Sequence, residues 1–100
     1  MLSRIFGNNI KTALRQGAIV IDVRSPNEFD RGRVPDSINI PLDRLSTQAA
    51  RIVQMRRPVI FCSGSGRSSR TALRMMRAKG LRNALDGGSW ERVLRIQESL

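Results

Sequence analysis

The sequence predicts an α/β fold, with a mainly parallel sheet of four or five strands and helices on both faces. Three observations predict it. Residues 18–23 (AIVIDV) and 58–62 (PVIFC) are apolar, largely β-branched runs without alternation. That pattern belongs to strands buried on both faces. Segments with helical spacing separate the strand candidates, as in layered α/β domains. The chain has 100 residues, 40% of them hydrophobic, with no repeat or linker, which suits one core. Residues 1–100 are therefore expected to form one domain, with its core at about 18–96.

Each element has a local reason. In NNIKTALRQG (8–17), Asn9 can cap a short helix with Ile10, Ala13 and Leu14 on one face, and Gly17 ends it. Strand 18–23 follows. SPNEFDRG (25–32) carries Ser25 as N-cap, Pro26 at the first helical position and Glu28 three residues after Ser25, a capping box, with Gly32 as the stop. SINIP (37–41) reads as a short strand closed by Pro41. Residues 42–55 read as helical, with Leu42, Leu45, Ala49, Ile52 and Val53 on one side. After strand 58–62, a helix is predicted over 67–79, with Ala72, Leu73 and Met76 inward and Gly80 at its end. Residues 83–85 form a last short strand followed by a turn. A final amphipathic helix over 89–96 carries Trp90, Val93 and Leu94.

Composition excludes several chemistries. The chain has one cysteine and no histidine, so it holds no internal disulfide, no Cys/His zinc cluster and no histidine-activated nucleophile. No metal or cofactor is expected. The longest apolar run is too short to span a membrane. The first residues, with Arg4 and Lys11 but no apolar core between them, do not read as a secretory signal. A cytoplasmic location, away from membranes, is the expectation. The net charge is +10, from 18 Lys+Arg against 8 Asp+Glu. Such a field favours anionic partners.

The chemistry is expected at VIFCSGSGRSSR (59–70). In parallel α/β sheets, ligands gather beyond the carboxyl ends of the strands, and Cys62 lies at such an end. Gly64 and Gly66 permit positive φ angles, which turn successive N–H groups inward into an anion-binding nest. The helix opening near Arg67 adds its positive end. A thiol held there is expected to ionise more easily. A P-loop does not fit, because no lysine follows the glycines. Taken alone, a cysteine ending a strand is a small buried hydrophobe.

These residues resemble the rhodanese family of sulfurtransferases, in its single-domain form. Three blocks carry the resemblance: IDVRSPNEFDRGRVPDSINIP (21–41), VIFCSGSGRSS (59–69) and LDGGSW (85–90). The chain departs from the family at Arg33, where histidine is usual, and at Ser65, where the loop often has Gly three positions after Cys. It departs again at Ser89, inserted between the Gly pair and Trp90. The resemblance implies a rhodanese-like fold and a mechanism. Cys62 thiolate would attack the outer sulfur of thiosulfate or a persulfide. The resulting Cys62 persulfide would be held by the loop of Ser63, Gly64, Ser65, Gly66, Arg67 and Ser68, and a thiol or cyanide would then accept its sulfur. Phosphatase-like relatives place five residues between Cys and Arg; here four separate Cys62 from Arg67, which favours sulfur over phosphate.

Asp22 and Arg24 match the family's Asp-Val-Arg. Asp22 is either structural or a supporting residue near Cys62, and Arg24 is expected to pair with Glu28. Arg67 either binds substrate or starts the helix. Arg67, Arg70, Arg74 and Arg77 share one helix face, which either is solvated or guides an acidic protein. Three functions follow: a sulfurtransferase acting on a small anionic sulfur donor, a carrier loaded as a Cys62 persulfide, or a non-catalytic basic binding module. Nucleic acid, one candidate ligand of such a module, is not expected as a partner, because the arginines are scattered and no nucleic-acid motif appears.

Overall fold

The computed structural model describes residues 2–100, with side chains from Asn9 onward. Four strands form one sheet: β1 (Ile19–Asp22), β2 (Ile38–Asn39), β3 (Val59–Ser63) and β4 (Ala84–Ser89). Their order is β2-β1-β3-β4 and every pairing is parallel. The helices are α1 (Leu2–Arg15), α2 (Pro26–Arg31), α3 (Ala49–Gln54), α4 (Arg67–Ala78) and α5 (Trp90–Glu98). The α/β class and the helices on both faces are as expected from the sequence. Among the described residues no helix is long and apolar enough to cross a membrane.

Strand alternation divides the core in two. Ile19, Ile21, Val59 and Phe61 pack on one side with Leu45, Ile52, Ala72 and Met76, which come from the 42–54 segment and α4. Val20, Ile60 and Cys62 pack on the other with Ile10, Ala13 and Val93, which come from α1 and α5. Both central strands are buried throughout, which explains their unbroken apolar sequence.

Several boundaries differ from expectation, each for a local reason. Helix α1 starts at Leu2, so Asn9 lies inside the helix and is not its cap. The apolar spacing that begins at Ile10 already runs through Leu2 and Phe6 in the sequence. The 42–55 segment is not one helix. Leu42–Gln48 is a 3-10 turn leading into α3. Thr47 Oγ1 donates to the Arg44 carbonyl at 2.7 Å, and hydroxyl residues that bond their own backbone compete with a regular helix. The Ser25 capping box of α2 forms as read: Glu28 N–H donates to Ser25 Oγ, and Ser25 N–H donates to the Glu28 carboxylate.

The expected turn after Leu85 is instead strand. β4 runs on to Ser89, and a register shift pairs Phe61 with Asp86 but Cys62 with Gly88, leaving Gly87 as the bulged residue. Ser89, the insertion ahead of Trp90, then caps α5 by accepting from Arg92 N–H at 3.2 Å. Gly87 has no room for a side chain. A Cβ there would sit 2.6 Å from Val93 Cγ2, 2.8 Å from Ile60 Cγ2 and 3.0 Å from the Phe61 carbonyl. Gly87→Ala should therefore cost about 1–3 kcal/mol of stability through overpacking. Urea unfolding of the variant checks this, and an unchanged midpoint would show that the β4–α5 contact is loose.

Candidate active site

Two elements meet the carboxyl ends of the central strands. The first is the corner after β1. Asp22 is fully buried at the strand end and pairs with Cys62 across the sheet. A buried carboxylate needs a partner, and Arg24 supplies it. Arg24 Nη2 lies 2.7 Å from Asp22 Oδ2, and Arg24 Nε reaches both carboxylate oxygens at 3.0 Å. Its remaining donors reach the carbonyls of Gly32 at 2.6 Å and Glu28 at 3.2 Å. The guanidinium lies over the Trp90 ring, 4.7 Å from its centroid. The expected Arg24–Glu28 ion pair does not form. Arg24 meets only the Glu28 backbone, while the Glu28 carboxylate accepts from Ser25, whose side-chain and backbone bonds hold it below the usual carboxylate range. Asn39 completes the corner by donating to the carbonyls of Asp22 at 3.0 Å and Arg24 at 2.9 Å.

The second element is the loop between β3 and α4. Residues 64–66 form it, and Gly66 takes the left-handed conformation at φ 96°. Gly64 does not, although a positive φ was expected at both glycines. One loop N–H and one from α4 meet on Ser63. Gly66 N–H donates to Ser63 Oγ at 3.0 Å and Ser69 N–H donates to it at 3.2 Å. The hydroxyl thus bonds the first turn of α4, whose N-cap residue is Gly66. Behind it, fully buried Ser69 donates its hydroxyl to Asp86 Oδ1 at 2.7 Å, and the same oxygen accepts from Gly88 N–H at 2.9 Å. Arg67 is exposed and opens α4, as its helix-starting reading holds; Gly64 and Ser65 are exposed and Ser68 is half-buried.

Cys62 is not in this cradle. Alternation along β3 sends Cys62 to the α1–α5 side and Ser63 to the α4 side. Cys62 is 0% exposed, among Ile10, Val20, Ile60 and Val93. Burial pushes its thiol up from an ordinary 9.0 to about 12. The Asp22 carboxylate adds to the rise, and the Arg24 guanidinium works against both. The expectation of an easily ionised thiol is therefore corrected: desolvation outweighs the nearby cation, and the nest faces the next residue. A cavity of about 800 Å³ lies at the β2 edge against Ile38, Ile40, Arg44, Arg51 and Met55, and Cys62 does not line it.

The structure thus brings Asp22, Arg24 and Cys62 together on one side and Ser63, Gly66 and Ser69 on the other. Sequence reading missed Asn39, Ser69 and Asp86. One signal bears on the loop. The family's glycine three positions after the nucleophile falls on Ser65 when counted from Cys62, but on Gly66 when counted from Ser63.

Comparison with known proteins agrees with this architecture. The family described as Rhodanese-like domain matches residues 8–91. The chain is 33% identical over 86 residues to the uncharacterized protein slr1261 of Synechocystis, covering 80% of this chain and 48% of that protein, so it spans about half of that relative's length. It is 30% identical over 79 residues to thiosulfate sulfurtransferase GlpE of Pseudomonas syringae, covering 76% of this chain and 74% of that one. The crystal structure of a rhodanese-related protein from Thermoplasma volcanium is similar in fold, with TM-score 0.72 and 23% identity over 91% of this chain and 88% of the other. With the sheet order, the three motif blocks and the matched span in agreement, the chain belongs to the rhodanese-like domain family, which includes sulfurtransferases.

Proposed function

We propose that this chain is a binding member of its family, and not one that transfers sulfur through a thiol at the loop. One observation carries this reading: Ser63, not Cys62, accepts the N–H groups of Gly66 and Ser69. A persulfide needs a thiolate at the point where those donors converge. A serine hydroxyl does not take up sulfane sulfur as a persulfide. The thiol one residue away faces the opposite side of the sheet, protonated and out of reach.

A second reading has one observation in its favour. Arg24 opposes the rise of the Cys62 thiol, so a conformation that opened the strand end would place a guanidinium beside it. Cys62 would then act as a sulfur carrier. Its thiolate would attack the outer sulfur of thiosulfate, the S–S bond would break, and sulfite would leave with the electron pair. A thiol acceptor or cyanide would remove the sulfur from the Cys62 persulfide.

Exchange of the two residues separates the readings. The Cys62→Ser/Ser63→Cys double variant puts the thiol under the Gly66 and Ser69 N–H groups without changing composition. After incubation with thiosulfate, the double variant should gain the mass of one sulfur atom and form thiocyanate from cyanide. Wild type should do neither above a Cys62→Ser control. A sulfur adduct on wild-type Cys62 without turnover would establish the carrier, and an adduct with turnover would restore Cys62 as the catalytic nucleophile.

The buried thiol also gives an alkaline signature. Above pH 9 it ionises in the unfolded chain while the folded one stays protonated to about 12. The unfolded state then binds fewer protons, so stability falls as pH rises through this window, by about 1.4 kcal/mol per pH unit. The chain has no tyrosine or histidine to blur the effect. Urea midpoints of wild type should fall more steeply between pH 8 and pH 10.5 than those of Cys62→Ala. Parallel slopes would mean that the thiol is solvated in the folded protein.

A further inference from the structure

The excess charge has a place in the fold. Between Asp43 and Asp86 the sequence holds nine arginines, one lysine and no acidic residue, while the rest of the chain balances eight cations with eight acids. The whole net charge of +10 therefore comes from this one stretch. Its helical segments, Leu42–Gln48, α3 and α4, supply one side of the core, and α1 and α5 supply the other. Six of the ten lie on Leu42–Gln48, α3 and α4, while Arg56, Arg57, Lys79 and Arg82 lie in turns, Arg57 bonding the Gly17 carbonyl. All ten cations are exposed. Among the described residues the one salt bridge is Arg24–Asp22, so none of the ten is matched by an acid.

We infer that the α3–α4 side is a binding surface for the phosphate backbone of a double-helical nucleic acid. This goes beyond the chemistry of the loop and does not depend on it. Arg67, Arg70, Arg74 and Arg77 fall within about 80° of arc on α4 and span ~15 Å along it. Arginine presents a fork of donors that matches phosphate. With principal extents of 34 × 31 × 22 Å, the molecule can follow at most about one turn of a duplex, ~34 Å.

Two absences point to a duplex and away from other polyanions. The exposed large hydrophobic residues among those described are Ile38 and Leu100; α4 carries neither, and Ile38 lies at the β2 edge in the cavity that Arg44 and Arg51 border. An acidic protein surface would need apolar or aromatic anchors at the centre of its contact, whereas duplex binding is dominated by phosphate contacts. This side also offers no exposed aromatic ring: Phe61 is buried, and Trp90 packs with the opposite cluster. Single strands are held by stacking on such rings. A backbone-tracking surface needs none.

The test uses the full chain with short fluorescent duplexes, one of DNA and one of RNA, titrated across a range of salt. Wild type should bind at low salt, with log Kobs falling against log salt at a slope of about −3 or steeper. The variant Arg70→Gln/Arg74→Gln/Arg77→Gln should bind at least about tenfold more weakly at low salt, with a slope shallower by about 2 to 3. Lys11→Gln/Arg15→Gln/Arg95→Gln removes the same charge from the α1–α5 side and should bind nearly as wild type does. Thermal unfolding of both variants serves as the folding control. Which duplex binds more tightly identifies RNA or DNA as the source of the phosphates. The inference is overturned if neither duplex binds at low salt or if the two variants lose affinity equally. It is also overturned if polyglutamate or anionic vesicles bind as tightly, with the same dependence on the α4 arginines.

Discussion

The buried pair of Asp22 and Arg24 is the constraint on which the site depends. A carboxylate with no exposed surface at the end of a central strand must be neutralised, and removing its partner would cost about 3–5 kcal/mol. Arg24 has more donors than Asp22 can accept. The surplus goes to the carbonyls of Glu28 and Gly32, which fixes α2 and the chain that leaves it. The planar guanidinium also covers the Trp90 ring, and a Cβ on Gly32 would lie 2.9 Å from that ring. One ion pair thus sets the positions of β1, α2 and α5. It also acts on Cys62, where burial comes first and the Asp22 charge outweighs that of Arg24.

Strand parity then decides which residue can do chemistry. Successive side chains of β3 point to opposite faces, so neighbours in sequence meet opposite surroundings. Cys62 shares its side with Asp22 and the α1–α5 core. Ser63 turns to the amino end of α4, where free N–H groups are available. The count of four residues from Cys62 to Arg67, which favoured sulfur over phosphate, starts from a thiol that the loop does not surround. Counted from Ser63, the left-handed Gly66 is the third residue and buried Ser69 the sixth, and these two donate to the hydroxyl. A shift of a single residue separates a nucleophile from a helix cap.

Much of the scaffold was legible because its signals are local. The unbroken apolar runs of β1 and β3 announce burial on both faces, and the Ser25 capping box needs only four consecutive residues. The helix of Arg67–Ala78 shows in its spacing and in the glycines at its ends. What the sequence hid depends on contacts across the fold. The bulged position must be glycine because Val93 and Ile60 leave no space for a Cβ there. The bond of Ser69 to Asp86 joins residues 17 positions apart. The direction of a cysteine side chain cannot be read from its neighbours when either end of the strand, Cys62 or Ser63, would satisfy the same Gly-rich pattern. The family resemblance pointed to the loop and left its central atom open.

Charge placement and loop chemistry then support one another. A persulfide site needs an accessible thiolate and a path for a small donor, and neither meets at Cys62. A surface that binds a polyanion needs exposed, unpaired cations on one side; Leu42–Gln48, α3 and α4 carry six arginines against Asp43 alone, whereas α1 and α5 carry five cations against two acids. The hydroxyl of Ser63 adds a further consequence. By satisfying the N–H groups of Gly66 and Ser69, it holds the amino end of α4 against the sheet without needing an anion there. The arginine stripe is thereby presented on a helix anchored at its start, which lowers the ordering cost of binding. By accepting two N–H groups, the Ser63 hydroxyl keeps the amino end of α4 fixed to the sheet, as the proposed binding surface requires.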